Sequence, residues 1–169
     1  MEGADKPLLA WQDHPMVDWI LDSLPPEADV LISANRNIEA YTTRAEVVQD
    51  STDYAANASP LVGIYSGLVA TQSRWLLVCP GDTPKLTGEW WQPLLAACGP
   101  DGAVIHDGIR QQHLHLLLST GVEPSLKAYL DGGNHEVWRW LDSLELNVVQ
   151  SDRQTQFDNV NTFAELKEE

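Results

Sequence analysis

A three-layer α/β fold, with helices on both faces of a mostly parallel twisted sheet, is predicted by three observations. Short apolar runs alternate with longer amphipathic ones, the pattern of successive β-α-β units. A length of 169 residues suits about one compact domain with a sizeable core. No internal repeat, low-complexity tract or Gly/Ser/Pro-rich linker divides the chain, so residues 1–169 read as a single domain.

The first helix is expected over Met16 to Leu24, because Val17, Ile20, Leu21 and Leu24 recur at helical spacing and Pro25-Pro26 stops the run. Strands are expected at Asp29 to Ser33 and Glu46 to Gln49. Pro60 to Gln72 reads as a helix in which Ser59 can cap, Pro60 suits the first turn, and Leu61, Ile64 and Leu68 form one stripe. The most apolar strand is Trp75 to Cys79, followed by a helix from about Thr87 to Cys98. Strands at Gly102 to His106 and His113 to Leu118 come next. Helices at Pro124 to Leu130 and Glu136 to Ser143 flank Gly132-Gly133, and a strand is expected at Leu146 to Val149. A last helix runs from Thr162 into the acidic end.

Charge narrows the function. With 10 Lys and Arg against 25 Asp and Glu, the formal net charge is −15. Duplex nucleic acid is therefore an unsuitable partner, since neutralising its phosphates requires a basic face. Small anionic substrates stay open if a metal ion and a few local cations offset the acidic field. Apolar runs such as Trp75-Leu76-Leu77-Val78-Cys79 are too short to span a bilayer, and no signal-like segment opens the chain. Cys79 and Cys98 lack a metal-binding spacing and read as small core residues, so a cytoplasmic location is expected.

In open α/β sheets ligands bind outside the carboxyl ends of the strands. Three polar clusters sit there. Ser33-Ala34-Asn35-Arg36-Asn37 offers amide and guanidinium donors to a nucleotide, and also reads as a helix cap with a solvated arginine. Gln49-Asp50-Ser51 provides a carboxylate for a base or ribose hydroxyl, or an ordinary turn. Cys79-Pro80-Gly81-Asp82-Thr83-Pro84 follows the most apolar strand, and an acid projecting there suits a cation above it. Asp82 is thus a candidate Mg²⁺ ligand, with loop capping as the plain alternative.

In this order, these segments resemble the molybdenum cofactor guanylyltransferases, within the superfamily of Rossmann-like nucleotidyltransferases. The residues that carry the likeness are Gly3-Ala4-Asp5-Lys6-Pro7-Leu8-Leu9, Ala34-Asn35-Arg36, Gln49-Asp50-Ser51 and Pro60-Leu61-Val62-Gly63. Cys79-Pro80-Gly81-Asp82-Thr83-Pro84, His106-Asp107-Gly108 and Asn159-Val160-Asn161-Thr162 extend it to nearly the whole chain. The resemblance implies transfer of GMP from Mg·GTP to molybdopterin with release of pyrophosphate. It also implies that Lys6 contacts nucleotide phosphates and that Asp82 holds Mg²⁺. Asn35 and Asp50 would lie in the nucleotide pocket, and Asn159 and Asn161 near the pterin. GTP and molybdopterin are then the substrates, and a molybdoenzyme or its chaperone is a possible partner.

The chain also departs from the family pattern. Family members open with a strand ending in Leu-Ala-Gly-Gly and a glycine-rich loop that cradles the triphosphate. Residues 1–3 match only the tail of that loop, so the expectation is a fragment lacking a central strand. Leu114 stands where the family has proline, and Asn134-His135 replaces a basic pair. Alternatives are a cytidylyltransferase or sugar nucleotidyltransferase, and a noncatalytic domain that binds molybdoenzymes or their chaperones. The seven tryptophans read mainly as core or oligomer surface. His106, His113 and His115 do not make a zinc set by spacing.

Overall fold

A computed structural model describes residues 5–54 and 59–161. Its elements are β1 (Ala10–Trp11), β2 (His14–Pro15), α1 (Met16–Asp22), β3 (Leu31–Ser33), α2 (Ile38–Thr42), β4 (Glu46–Val48) and α3 (Pro60–Ala70). The second half holds β5 (Trp75–Val78), α4 (Gln92–Ala96), β6 (Gly102–His106), β7 (Gln111–Ser119), α5 (Glu123–Asp131), α6 (Val137–Leu141) and β8 (Leu146–Gln150). The helix expected from Thr162 lies outside the described residues.

The main sheet has the order β5-β7-β6-β8. β7 is antiparallel to both β5 and β6, whereas β8 is parallel to β6, so β7 alone runs against its three companions. The sheet is therefore mixed rather than purely parallel. The reversal follows from the short turn at residues 107–110, which leaves room for a hairpin and not for a crossover helix. β3 and β4 form a separate parallel pair.

Alternation along the strands divides the core into two layers. Val104, Leu116 and Leu118 face α3, α5 and α6, where they meet Leu61, Leu126 and the fully buried Trp140. Ala103, Ile105 and Leu117 face the opposite way and pack on Leu86, Trp90, Leu94 and Phe157. Close packing at the sheet's amino edge demands glycine. At Gly102 φ is +135°, and a Cβ there would meet the Leu117 carbonyl oxygen at 1.9 Å.

Element ends moved where local chemistry outweighed periodicity. α1 stops at Asp22 because Ser23 turns its hydroxyl back to the Ile20 carbonyl at 2.8 Å. The expected helix of residues 87–98 shrinks to Gln92–Ala96, since Pro84 and the left-handed Gly88 keep the preceding segment in turns. α3 begins as expected. Ser59 accepts from the Leu61 amide at 3.3 Å, and Pro60 occupies the first turn. The expected strand at Asp29 begins only at Leu31, and α2 has no counterpart in the sequence reading because its five residues are too few to show a period.

Candidate active site

Lys6 stands in a short 3-10 turn, Asp82 in the loop after β5, and Asn159 and Asn161 beyond the last strand. Folding brings all four side chains together. Lys6 Nζ donates to Asn161 Oδ1 at 2.6 Å and lies 3.4 Å from Asp82 Oδ2. Asn159 Nδ2 donates to the same carboxylate oxygen at 3.3 Å, and the Val160 amide donates to the Asp82 carbonyl at 2.9 Å. The backbone bond fixes the Asn159-Val160-Asn161 segment against the loop, so both amides address one carboxylate–ammonium pair. The Asp82 side chain keeps 19% of its exposure and Lys6 31%, which leaves the pair open to a ligand.

The loop itself is held from below. Thr83 is fully buried, donates to the Pro80 carbonyl at 3.2 Å, and lies 3.3 Å from His115 Nε2. His115 is enclosed between Trp90 and Phe157 at centroid distances of 5.8 and 5.0 Å. Burial pushes its pKa down to about 3, so it remains a neutral ring supporting the loop. Gly81 is required above it, because a Cβ there would come within 2.7 Å of Pro7 Cγ. The same contact sets Lys6 beside Asp82.

Asn35 and Asp50 form a second group at the carboxyl ends of β3 and β4. Asn35 Nδ2 donates to Asp50 Oδ2 at 2.7 Å, and the Asp50 amide donates to Asn35 Oδ1 at 2.9 Å. These reciprocal bonds lock the two side chains to each other. Asp5, which sequence reasoning passed over as a site residue, anchors the segment that carries Lys6 to the turn after β3. It accepts from Asn37 Nδ2 at 2.9 Å, lies 3.7 Å from Arg36 Nε, and bonds the buried Tyr41 hydroxyl. Burial, with the Asp5 carboxylate adding to it, raises the Tyr41 pKa. Only its place before Lys6 in the chain could have flagged Asp5.

No group of three or more His, Cys, Asp or Glu side chains that could cage a metal occurs among the described residues. The donor set still suits a hard ion, since Mg²⁺ is commonly held by one or two carboxylates completed by substrate phosphates and water. His106 Nδ1 accepts from the Gly108 amide at 3.1 Å, a turn contact and not a metal geometry. Asp107 accepts from the Ile109 and Arg110 amides at 2.8 Å and from Gln112 at 2.6 Å. Burial opposes its charge, but these donors outweigh it and hold the carboxyl below its ordinary range. The motif at residues 106–108 is thus a turn device in this structure.

Known proteins match the chain in both sequence and fold. The family profile of the MobA-like NTP transferase domain matches residues 1–148. A molybdenum cofactor guanylyltransferase from Shewanella woodyi is 34% identical over 167 residues, covering 96% of this chain and 85% of its own length. One from Vibrio cholerae is 32% identical, covering 98% and 83%. The crystal structure of molybdopterin-guanine dinucleotide biosynthesis protein A from Archaeoglobus fulgidus superposes with a TM-score of 0.76 at 17% identity, covering 98% of this chain and 88% of that one. A 2-C-methyl-D-erythritol 4-phosphate cytidylyltransferase from Thermus thermophilus shares the fold at TM-score 0.68 and 14% identity, covering 95% and 90%. The matched profile spans well over half of the chain and the relatives exceed 30% identity over nearly all of it, so the chain belongs to the MobA-like NTP transferase family and is a nucleotidyltransferase.

Proposed function

We propose that the chain transfers GMP from Mg·GTP to the terminal phosphate of molybdopterin. One observation carries the reading: Lys6, Asp82, Asn159 and Asn161 converge from sequence separations of up to 155 residues. Structural ion pairs do not need two extra amides aimed at them. A site where two anionic substrates meet does need a carboxylate for a cation, an ammonium for phosphate, and amides that both donate and accept.

An oxygen of the molybdopterin phosphate attacks the α-phosphorus of GTP, the α–β bridging P–O bond breaks, and pyrophosphate leaves with the bond's electron pair. The protein's part is alignment and neutralisation of charge. Asp82 would hold Mg²⁺, which supplies positive charge to the phosphate oxygens. Lys6 neutralises Asp82 in this structure, and with Mg²⁺ on that carboxylate its ammonium would be available to the nucleotide phosphates. Asn161, which accepts from Lys6, holds that ammonium in reach. Asn159 keeps the Asp82 carboxylate oriented and offers its remaining amide valence to the pterin side. Asn35 and Asp50 present an amide–carboxylate edge to the nucleoside.

Incubation with molybdopterin, Mg²⁺ and either GTP or CTP tests the reading by dinucleotide formation and pyrophosphate release. Product from GTP, and none from CTP, is expected. Product from CTP and none from GTP would favour a cytidylyltransferase, and GTP binding without product a noncatalytic domain. Asp82→Ala is expected to lower turnover by at least about 10²-fold with an unchanged melting temperature, since Asp82 lies past the strand end. Equal turnover at saturating Mg²⁺ would remove Asp82 as the metal ligand.

A further inference from the structure

The cationic partner of Asp82 in this structure is the chain's own Lys6, whose Nζ lies 3.4 Å from Oδ2. Three tethers hold the pair. Asn161 Oδ1 accepts from Lys6 Nζ at 2.6 Å, which aims the ammonium. Asn159 Nδ2 donates to the same Asp82 oxygen at 3.3 Å, which aims the carboxylate. Pro7 rests against Gly81, where a Cβ would come within 2.7 Å of its ring, so the backbone that carries Lys6 is packed on the loop that carries Asp82. Exposed ion pairs gain little because both side chains roam. Lys6 and Asp82 are partly buried and held from both sides, so their contact is built into the site.

A divalent cation arriving alone finds little else to hold it. Among the described residues no three His, Cys, Asp or Glu side chains gather to cage a metal ion. The cation would meet one carboxylate and, beside it, an ammonium of like charge. A triphosphate arriving alone would meet that ammonium and also the Asp82 carboxylate, which repels it. Arriving together they remove both conflicts, because phosphate oxygens draw Lys6 away and complete the cation's oxygen shell. The exclusion matters on a chain of net charge −15, whose field concentrates free divalent cations at its surface. An unguarded carboxylate would fill before any nucleotide came.

We propose that Lys6 is a selectivity residue: standing in for the cation on Asp82, it refuses free divalent ions and admits one only together with a triphosphate. The inference rests on the proposed reading of Asp82 as the cation ligand. Cation and nucleotide then each raise the affinity of the other, and loss of the Lys6 charge lets the cation bind first.

The test measures binding of Mn²⁺, a paramagnetic substitute for Mg²⁺, to the nucleotide-free chain by electron paramagnetic resonance, with melting temperature in Mg²⁺ as a second readout. The parent chain is expected to bind Mn²⁺ weakly and to melt at the same temperature with or without Mg²⁺. Lys6→Met keeps an apolar stem and loses the charge. It is expected to bind one Mn²⁺ about tenfold more tightly or better, and to melt higher in Mg²⁺. Lys6→Arg restores the charge and is expected to refuse Mn²⁺ as the parent does. Lys127→Met removes the same unit of charge from an exposed pair on α5 and is expected to leave Mn²⁺ binding unchanged. An equal gain in Lys127→Met would assign the effect to net charge and overturn the proposal. Equal Mn²⁺ affinity of the parent and Lys6→Met would overturn it as well, while leaving Asp82 as the ligand in the nucleotide complex. Adding Asp82→Asn to Lys6→Met separates that failure from the failure of the reading beneath it. Loss of the tightened binding is expected, and tight binding kept in the double variant would place the cation elsewhere and remove both.

Discussion

Asn161 and His115 separate function from support at the scale of single residues. Asn161 Oδ1 accepts from Lys6 at 2.6 Å, so the amide's first task is to hold an ammonium. Asn161→Ala is therefore expected to slow molybdopterin-dependent turnover about tenfold or more, the loss of one charge-assisted hydrogen bond, while melting temperature changes little. A variant that melts early and turns over normally when cold would assign Asn161 a structural role instead. His115 is buried without charge, and its pKa in the folded protein is about 3 against an ordinary 6.5. Between those values the unfolded chain binds the proton and the folded one does not, so stability falls as pH drops from 6.5 toward 3. The expected slope is up to about 1.4 kcal/mol per pH unit. In urea titrations His115→Leu should lose that part of the slope even if its midpoint is lower, and an identical slope in both proteins would refute the assignment.

At the scale of elements, the loop after β5 decides the site. Its glycine lets Pro7 approach, and its threonine rests on a neutral histidine. Gly81→Ala places a Cβ within 2.7 Å of a rigid proline ring, which cannot rotate away as a long side chain would. The expected outcome is displacement of residues 5–7 and a severalfold weaker nucleotide affinity, at a stability cost of about 1–3 kcal/mol. Calorimetric titration with GTP and thermal melting measure the two effects separately, and unchanged affinity would show that Pro7 does not position Lys6. Arg44 makes a related connection. It donates to both carboxylate oxygens of Asp18, joining α1 to the end of α2.

For the whole molecule, a net charge of −15 opposes any anionic substrate from a distance. Lys6 attracts only at close range, so the far field governs encounter. Added salt screens that field, and the association rate of GTP is expected to rise on the order of twofold between low and physiological ionic strength. A nucleic-acid binder behaves in the opposite way. Stopped-flow binding over a salt series checks this, and a falling rate would mean that a local basic surface dominates. No helix among the described residues is long and apolar enough to cross a membrane.

Periodicity and composition determined the α/β layering, most strand positions and the capped start of α3. Those features rest on neighbours within a few residues, which a linear chain displays. The likeness of GADKPLL, CPGDTP and NVNT to a known family also pointed to Lys6, Asp82, Asn159 and Asn161. Their contact was invisible in one dimension, because an ion pair across 76 residues leaves no local pattern. The part played by Asp5 and the turn role of Asp107 were likewise decided by the fold, as was the separation of Asn35 and Asp50 into a pair of their own. The reversed β7 belongs to tertiary structure as well, since strand direction arises only when distant segments are set side by side.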